Sequence, residues 1–343
     1  MYEGYDQAGR PESADGGPEP LELRGVAADA AGDPSSAALG PGWRALAWPV
    51  FLLISTGAAW GATFSLARLA TTAGAHPIGL TLWQGLLGGP LLLALAVYRR
   101  RPPPLTRHHL GFYAVCGLLG TAVPSVLYFY AAARVPAGVL SITIAIVPIM
   151  TFAAALLFGI DRLAWGRVAG ILCGLGAVLL IVLPDSSLPD RAMVPWVLIA
   201  LLATLCYAAE GIYVALRRPV SSDPAASVGA MLLTASVLLA PLVLATDTFV
   251  PLAFPWGVVE WSVMGMMAVN AVSYSVFFYL IQIAGPVFAT QMSYVVTIAG
   301  VAWGIAIFGE QHSLWIWGAL GLMFVGLVLV TPRGEDTGGA TDG

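Results

Sequence analysis

Apolar residues fill this chain in long uninterrupted runs, and polar residues are confined to the gaps between them. Ten runs approach the roughly 20 mostly apolar residues that a helix needs to cross a bilayer. They lie at 45–70, 77–98, 109–131, 137–159, 165–184, 193–216, 226–246, 261–283, 287–309 and 314–332. The gaps are short and carry turn residues: Thr-Ala-Gly-Ala-His at 72–76, Arg-Val-Pro-Ala-Gly at 134–138 and Ala-Gly-Pro at 284–286. Inside a bilayer core every backbone polar group must be bonded within the protein, which favours helices. The pattern therefore predicts an all-α polytopic membrane protein with ten transmembrane helices.

The runs repeat. Shifted by 150 residues, 126–180 lies over 276–330 without a gap: Val126 meets Val276, Pro136 meets Pro286, Phe158-Gly159 meets Phe308-Gly309, Trp165 meets Trp315 and Gly176 meets Gly326. Each half holds five helices, an odd number, so the halves must insert with opposite orientation. Inverted repeats mark secondary transporters, whose substrate site lies near the midplane between the halves. Arginine placement sets the orientation. With the N-terminus in the cytoplasm, twelve arginines fall on the cytoplasmic side, and only Arg68, Arg134 and Arg191 fall on the other. The division expected is a disordered cytoplasmic tail at 1–43, a first repeat at 44–186, a second at 187–332 and a cytoplasmic C-terminal tail at 333–343. The first tail is rich in Gly, Pro, Ser, Asp and Glu and cannot bury enough apolar surface to order. It shows no short apolar core with a cleavage site, so the first apolar run is expected to remain as a helix.

Composition agrees: 58% hydrophobic residues, a mean hydropathy of +0.84 and 10% charged residues exclude an ordinary soluble domain, in which about 25% of residues are charged. The net charge of −4 reflects the N-terminal tail, since eight of the nineteen acids lie in the first 33 residues. No basic cluster suits nucleic acid. All fifteen cations are Arg, which reads as a coding bias with no mechanism attached. Cys116, Cys173 and Cys206 have no Cys or His at ligand spacing and read as packing residues, so neither a disulfide framework nor a metal site is expected. No His-Glu-x-x-His, Gly-x-Ser-x-Gly or phosphate-loop motif occurs, and the adjacent His108 and His109 fall in a loop. No enzyme, cofactor or direct ATP drive is expected. A channel would more often show a ring of charges or a carbonyl-lined filter.

Glu210 stands apart. It is the only charged residue in the apolar run from Trp196 to Leu216. A carboxylate at membrane depth costs roughly 2.5 kcal/mol or more even on lenient scales, and intramembrane ionisable groups are functional by default. Glu210 could bind a substrate ammonium or cycle a proton; it could also be a structural acid hydrogen-bonded to a neighbouring helix, or snorkel toward Arg217 or Arg218. Tyr207 shares its helical face. Asn270, Tyr274 and Phe277 recur along helix 8, and Gln291 and Tyr294 along helix 9; each could line a polar path or act as interhelical glue. Gln84, Trp60 and Tyr128 are the candidates from the first half, the two aromatics also fitting a core or interfacial role. Pro148 should interrupt helix 4 and free a carbonyl. Arg134 reads as a solvated turn residue, and Glu310 and Asp161 as helix-end caps. Gly166, Gly170 and Gly174 form a small-residue face for close helix approach, read as packing within the chain ahead of a homodimer seam.

Short motifs then carry a resemblance: Gly-Ala-Ala-Trp-Gly-Ala-Thr-Phe at 57–64, Ala145–Pro148, Phe-Gly-Ile-Asp-Arg-Leu at 158–163 and Ile-Phe-Gly-Glu-Gln at 307–311. Over roughly residues 45–331 the chain resembles the EamA-type branch of the drug/metabolite transporter superfamily. It departs from the family pattern at Ile160, where Glu is usual after Gly159, although the second copy keeps Gly309-Glu310. It departs also at Gln84, where Arg is often found, and at Ile298, where Pro is often found. The resemblance implies a multi-pass inner-membrane secondary transporter working by alternating access, with helices 5 and 10 peripheral to its cavity. Its cargo would be a small organic metabolite such as an amino acid or amine, exported with or without protons. A lipid or lipid-linked sugar flippase and a multidrug efflux protein remain alternatives; a flippase should show a lateral opening and a basic head-group pocket.

Overall fold

The computed structural model describes residues 43–159, 163, 165–217, 223–284, 288–289 and 291–330. The expected tails, and Asp161 and Arg218, lie outside the described residues. Contacts divide the chain into Met1–Ala47 and Trp48–Gly343. Of the first unit only the opening turn of α1 is described; the helical bundle belongs to the second.

Among the described residues, ten helical spans occupy the ten apolar runs: α1 (Trp43–Thr72), α2 (Pro77–Tyr98), α3 (Arg107–Ala132), α4 (Ala137–Leu157), α5 (Trp165–Val182), α6 (Val194–Arg217), α7 (Pro224–Ala245), α8 (Val258–Ala284), α9 (Met292–Phe308) and α10 (Leu314–Val330). Their starts are written in the sequence. Pro77 and Pro224 occupy the first helical turn, where a missing N–H costs nothing. Thr106 and Asp223 accept the orphan amides of α3 and α7. Large apolar side chains such as Trp48, Leu91, Leu172, Leu244 and Trp261 are exposed. Such a coat suits a lipid-facing surface rather than a watered one.

Among the described residues, two spans are not plain α-helices, and a proline explains each. Pro124 has no N–H, and its ring crowds the carbonyl four residues back, at Gly120. The ladder of α3 loosens into a π-helical turn over Leu118–Ala122, where the Val123 amide donates to the Leu118 carbonyl. In α4, Pro148 deprives the Ile144 carbonyl of its helical partner. The span breaks between Ile144 and Val147 into two helices, with the Ala145 and Ile146 amides bonding three residues back to Ile142 and Thr143.

Helices that correspond across the repeat pack on each other: α2 on α7, α4 on α9 and α5 on α10. This is the arrangement of elements that straddle a pseudo-two-fold axis. In lipid no hydrophobic drive pulls helices together, so close approach through small residues does the work. At the α5–α10 crossing a side chain on Gly170 would come 2.7 Å from the Gly326 carbonyl oxygen, and one on Gly326 would come 2.9 Å from that of Gly170. Gly174 faces Ile149 of α4, while Gly166 meets nothing within 4 Å among the described residues. Two of the three glycines of that face therefore serve packing within the chain. At the α1–α9 crossing a side chain on Gly61 would strike the Gly300 amide and the Val296 carbonyl at 2.8 Å. Trp303 Nε1 also donates to the Ala58 carbonyl there at 2.9 Å.

Candidate functional site

Between the halves lies a cavity of about 470 Å³. Among the described residues its wall is drawn from α1, α2, α3, α4, α6, α7, α8 and α9, and none comes from α5 or α10. The two irregular backbone stretches both reach it, through Gly120 and Thr121 of the π turn and through Ile144, Ala145 and Pro148 at the break in α4. Non-helical backbone at membrane depth is tolerated where protein or a watered cavity surrounds it.

Six of the nine sequence candidates line this space: Trp60, Gln84, Tyr128, Tyr207, Asn270 and Tyr274. Trp60 Nε1 donates to Asn270 Oδ1 at 2.9 Å, and its ring meets Tyr274 edge-on with centroids 5.1 Å apart. These contacts tie α1 to α8. Phe64 tilts against Tyr128, and the Ser125 hydroxyl lies against the Tyr207 phenol. Among the described residues, Gln84 Oε1 and Tyr128 Oη are buried without a hydrogen-bond partner. Such groups are rare in native interiors, and here they border a cavity.

Three candidates lie outside the lining. Tyr294 stacks on Phe324 of α10 with centroids 5.6 Å apart, so it serves packing between α9 and α10. Gln291 is the residue preceding α9, and its side chain does not cap that helix. Glu210 stands one layer behind the wall: its carboxylate occupies the place where a side chain on Gly120 would sit. Arg217, the described cation that could have drawn it away, forms no ion pair with it.

The repeat explains this geometry. The 150-residue shift lays Gly-Ala-Ala-Trp-Gly at 57–61 over Tyr-Ala-Ala-Glu-Gly at 207–211, and lays Gly120 over Asn270. Glu210 is thus the counterpart of Trp60, and Gly120 the counterpart of Asn270. The Trp60–Asn270 pair on one side of the axis answers the Glu210–Gly120 contact on the other. The alignment was legible in the sequence; that Gly120 meets Glu210 was not, because it is a contact in space. Phe64, Thr121, Ser125, Met266, Met267, Ser293 and Thr297 also line the cavity without any distinguishing local signal.

Near the end of the bundle where α1 stops and α4 starts, a charged cluster ties three helices. Arg68 of α1 is ion-paired with Glu310, just past the end of α9, and its guanidinium stacks on the Phe308 ring at 4.5 Å. Glu310 accepts from the Ala137 amide at 2.7 Å and the Gly138 amide at 3.0 Å. It therefore caps the N-terminus of α4, where the helix dipole favours an anion, and not a helix end of its own. His312 Nε2 lies 3.4 Å from Oε2. Burial by itself would raise the Glu310 carboxyl, but His312, the Gly138 and Ala137 amides and the Arg68 charge outweigh it and hold the group below the ordinary carboxylate range. Arg134 is not merely solvated; it stacks 4.2 Å over the Trp196 ring.

Comparison with known proteins gives three findings. The model of the family described as "EamA-like transporter family" matches twice, at residues 47–183 and 194–331. The curated relatives include an "uncharacterized inner membrane transporter YedA" from Escherichia coli K12 and its counterpart from E. coli O157:H7. Each is 27% identical over 276 residues, covering 79% of this chain and 87% of the relative. One solved crystal structure superposes with a TM-score of 0.53 at 19% identity, over 82% of this chain and 97% of that one; it shows the shared fold.

Proposed function

The chain belongs to the EamA-like transporter family, and from that premise we propose that it is a secondary transporter of the inner membrane. It moves a small organic molecule, an amine or amino acid, outward by alternating access, with both termini in the cytoplasm. The observation that carries the reading is the central cavity, built from both halves and from eight of the ten spans. Its volume of about 470 Å³ falls within the roughly 300–1,000 Å³ of small-molecule sites. Trp60, Gln84, Tyr128, Tyr207, Asn270 and Tyr274 contact the cargo, and Glu210 supplies the charge. The Arg68–Glu310 cluster supports the alternating-access element, because it joins three cavity-lining helices at one end and must part if that end opens. Among the described residues none that lines the cavity is basic, so a head-group pocket of the kind a flippase needs finds no support there. Coupling to protons through Glu210 accompanies this reading.

Counterflow in proteoliposomes tests it. Vesicles loaded with unlabelled metabolites should accumulate the labelled counterpart of at least one, and Thr63→Phe, which fills the cavity, should abolish the accumulation. Failure across amines, amino acids, nucleosides and sugars would remove the reading.

A further inference from the structure

We propose that the cargo is a monocationic amine without a carboxylate, held with its ammonium against Glu210 at Gly120. The inference rests on the transport reading above and narrows it to one charge class.

The broken symmetry of the repeat is the first argument. On one side of the pseudo-two-fold, Trp60 donates to a partner, Asn270 Oδ1. On the other, the corresponding residue is an acceptor, Glu210, and its opposite number is Gly120, which has no side chain to answer it. The π turn brings Gly120 to the cavity wall, and the carboxylate rests on it. Among the described residues no cation is paired with Glu210. A buried charge needs a partner, and the cavity beside Gly120 is where one can arrive.

The wall supplies the second argument. Trp60, Phe64, Tyr128, Tyr207, Tyr274 and Phe277 are among the residues that line the space, and aromatic rings attract cations through their quadrupole. The Gln84 Oε1 acceptor lacks a donor, and an ammonium carries several. The third argument is what a carboxylate on the cargo would meet. Among the described residues, no Arg, Lys or His lines the cavity. Arg68 follows the lining residue Ala67 along α1, but it is committed to Glu310 and Phe308. A zwitterion would therefore bring one charge that is answered and one that is not.

The test uses three probes that share one body: 2-phenylethylamine, phenylalanine and 2-phenylethanol. Binding to purified full-length protein is read by thermal shift, and counterflow is read in proteoliposomes. The amine should bind and exchange, with the amino acid and the alcohol at least about tenfold weaker. Glu210→Gln should lose the preference for amine over alcohol, and so should Gly120→Ala, whose methyl group displaces the carboxylate. Phenylalanine bound as well as the amine would overturn the inference and leave small-molecule transport standing. So would an amine preference that survives in both variants, or an amine that binds no better than the alcohol. Absence of exchange for every member of the broader metabolite panel would instead remove the transport reading itself, and with it this one.

Discussion

Glu310 follows Gly309, whose left-handed backbone (φ 64°) ends α9, and this turn sends its carboxylate to the start of α4. Glu310 is 5% exposed and Arg68 24% exposed, and breaking a buried pair by removing one member costs about 3 kcal/mol. Glu310→Gln should therefore lower the thermal midpoint near neutral pH. The pH dependence follows from the direction of the shift. A carboxyl held below its ordinary value stabilises the fold fully above the unfolded pKa of about 4.3, and that contribution is lost as pH falls through the lower folded value. Midpoints measured from pH 7 downward should show wild type converging on Glu310→Gln in acid; parallel curves would contradict the assignment. Trp60→Phe tests another polar tie between helices. It leaves Asn270 Oδ1 without its donor and should cost about 0.6–2 kcal/mol, read in the same unfolding assay.

The glycines of α5 give an internal control at the scale of the element. Gly170 lies on the Gly326 backbone, which cannot give way, whereas Gly166 faces open space. Gly170→Ala should destabilise by about 1–3 kcal/mol through overpacking. Gly166→Ala should be neutral or stabilise by up to about 1 kcal/mol, since alanine is the better helix former. If the face were instead a homodimer seam, both variants would shift the oligomer distribution in detergent, which multi-angle light scattering reads. Pro124 and Pro148 also act at this scale, each converting a regular span into irregular backbone at the cavity. Pro124→Ala should restore the helical ladder of α3, move Gly120 relative to Glu210 and reduce substrate exchange with little loss of stability.

At the scale of the whole molecule, two inverted halves share one cavity, and among the described residues the peripheral α5–α10 pair leaves its lining to the other eight spans. Much of this was legible beforehand. The apolar runs gave the spans to within a few residues, since 77–98 coincides with Pro77–Tyr98 and 165–184 contains Trp165–Val182. The gapless 150-residue shift gave the two halves, and Glu210, Trp60 and Tyr274 were singled out by polarity and type. The facing of individual helices was not legible. A helix that is apolar around its whole circumference has no amphipathic stripe, so Tyr294 looked like Tyr207, though one stacks on α10 and the other lines the cavity.

The sequence by itself determined the number of spans, their order, the repeat and the inversion. These follow from local hydropathy, turn chemistry and the parity of five helices, none of which needs a partner in space. Tertiary structure alone decided that Glu310 caps α4, that Gly120 is the floor under Glu210 and that Gln291 and Tyr294 stand outside the cavity. Each of these is a relation between residues far apart in the chain, set by how closely two backbones approach, and that distance is fixed only when the helices pack.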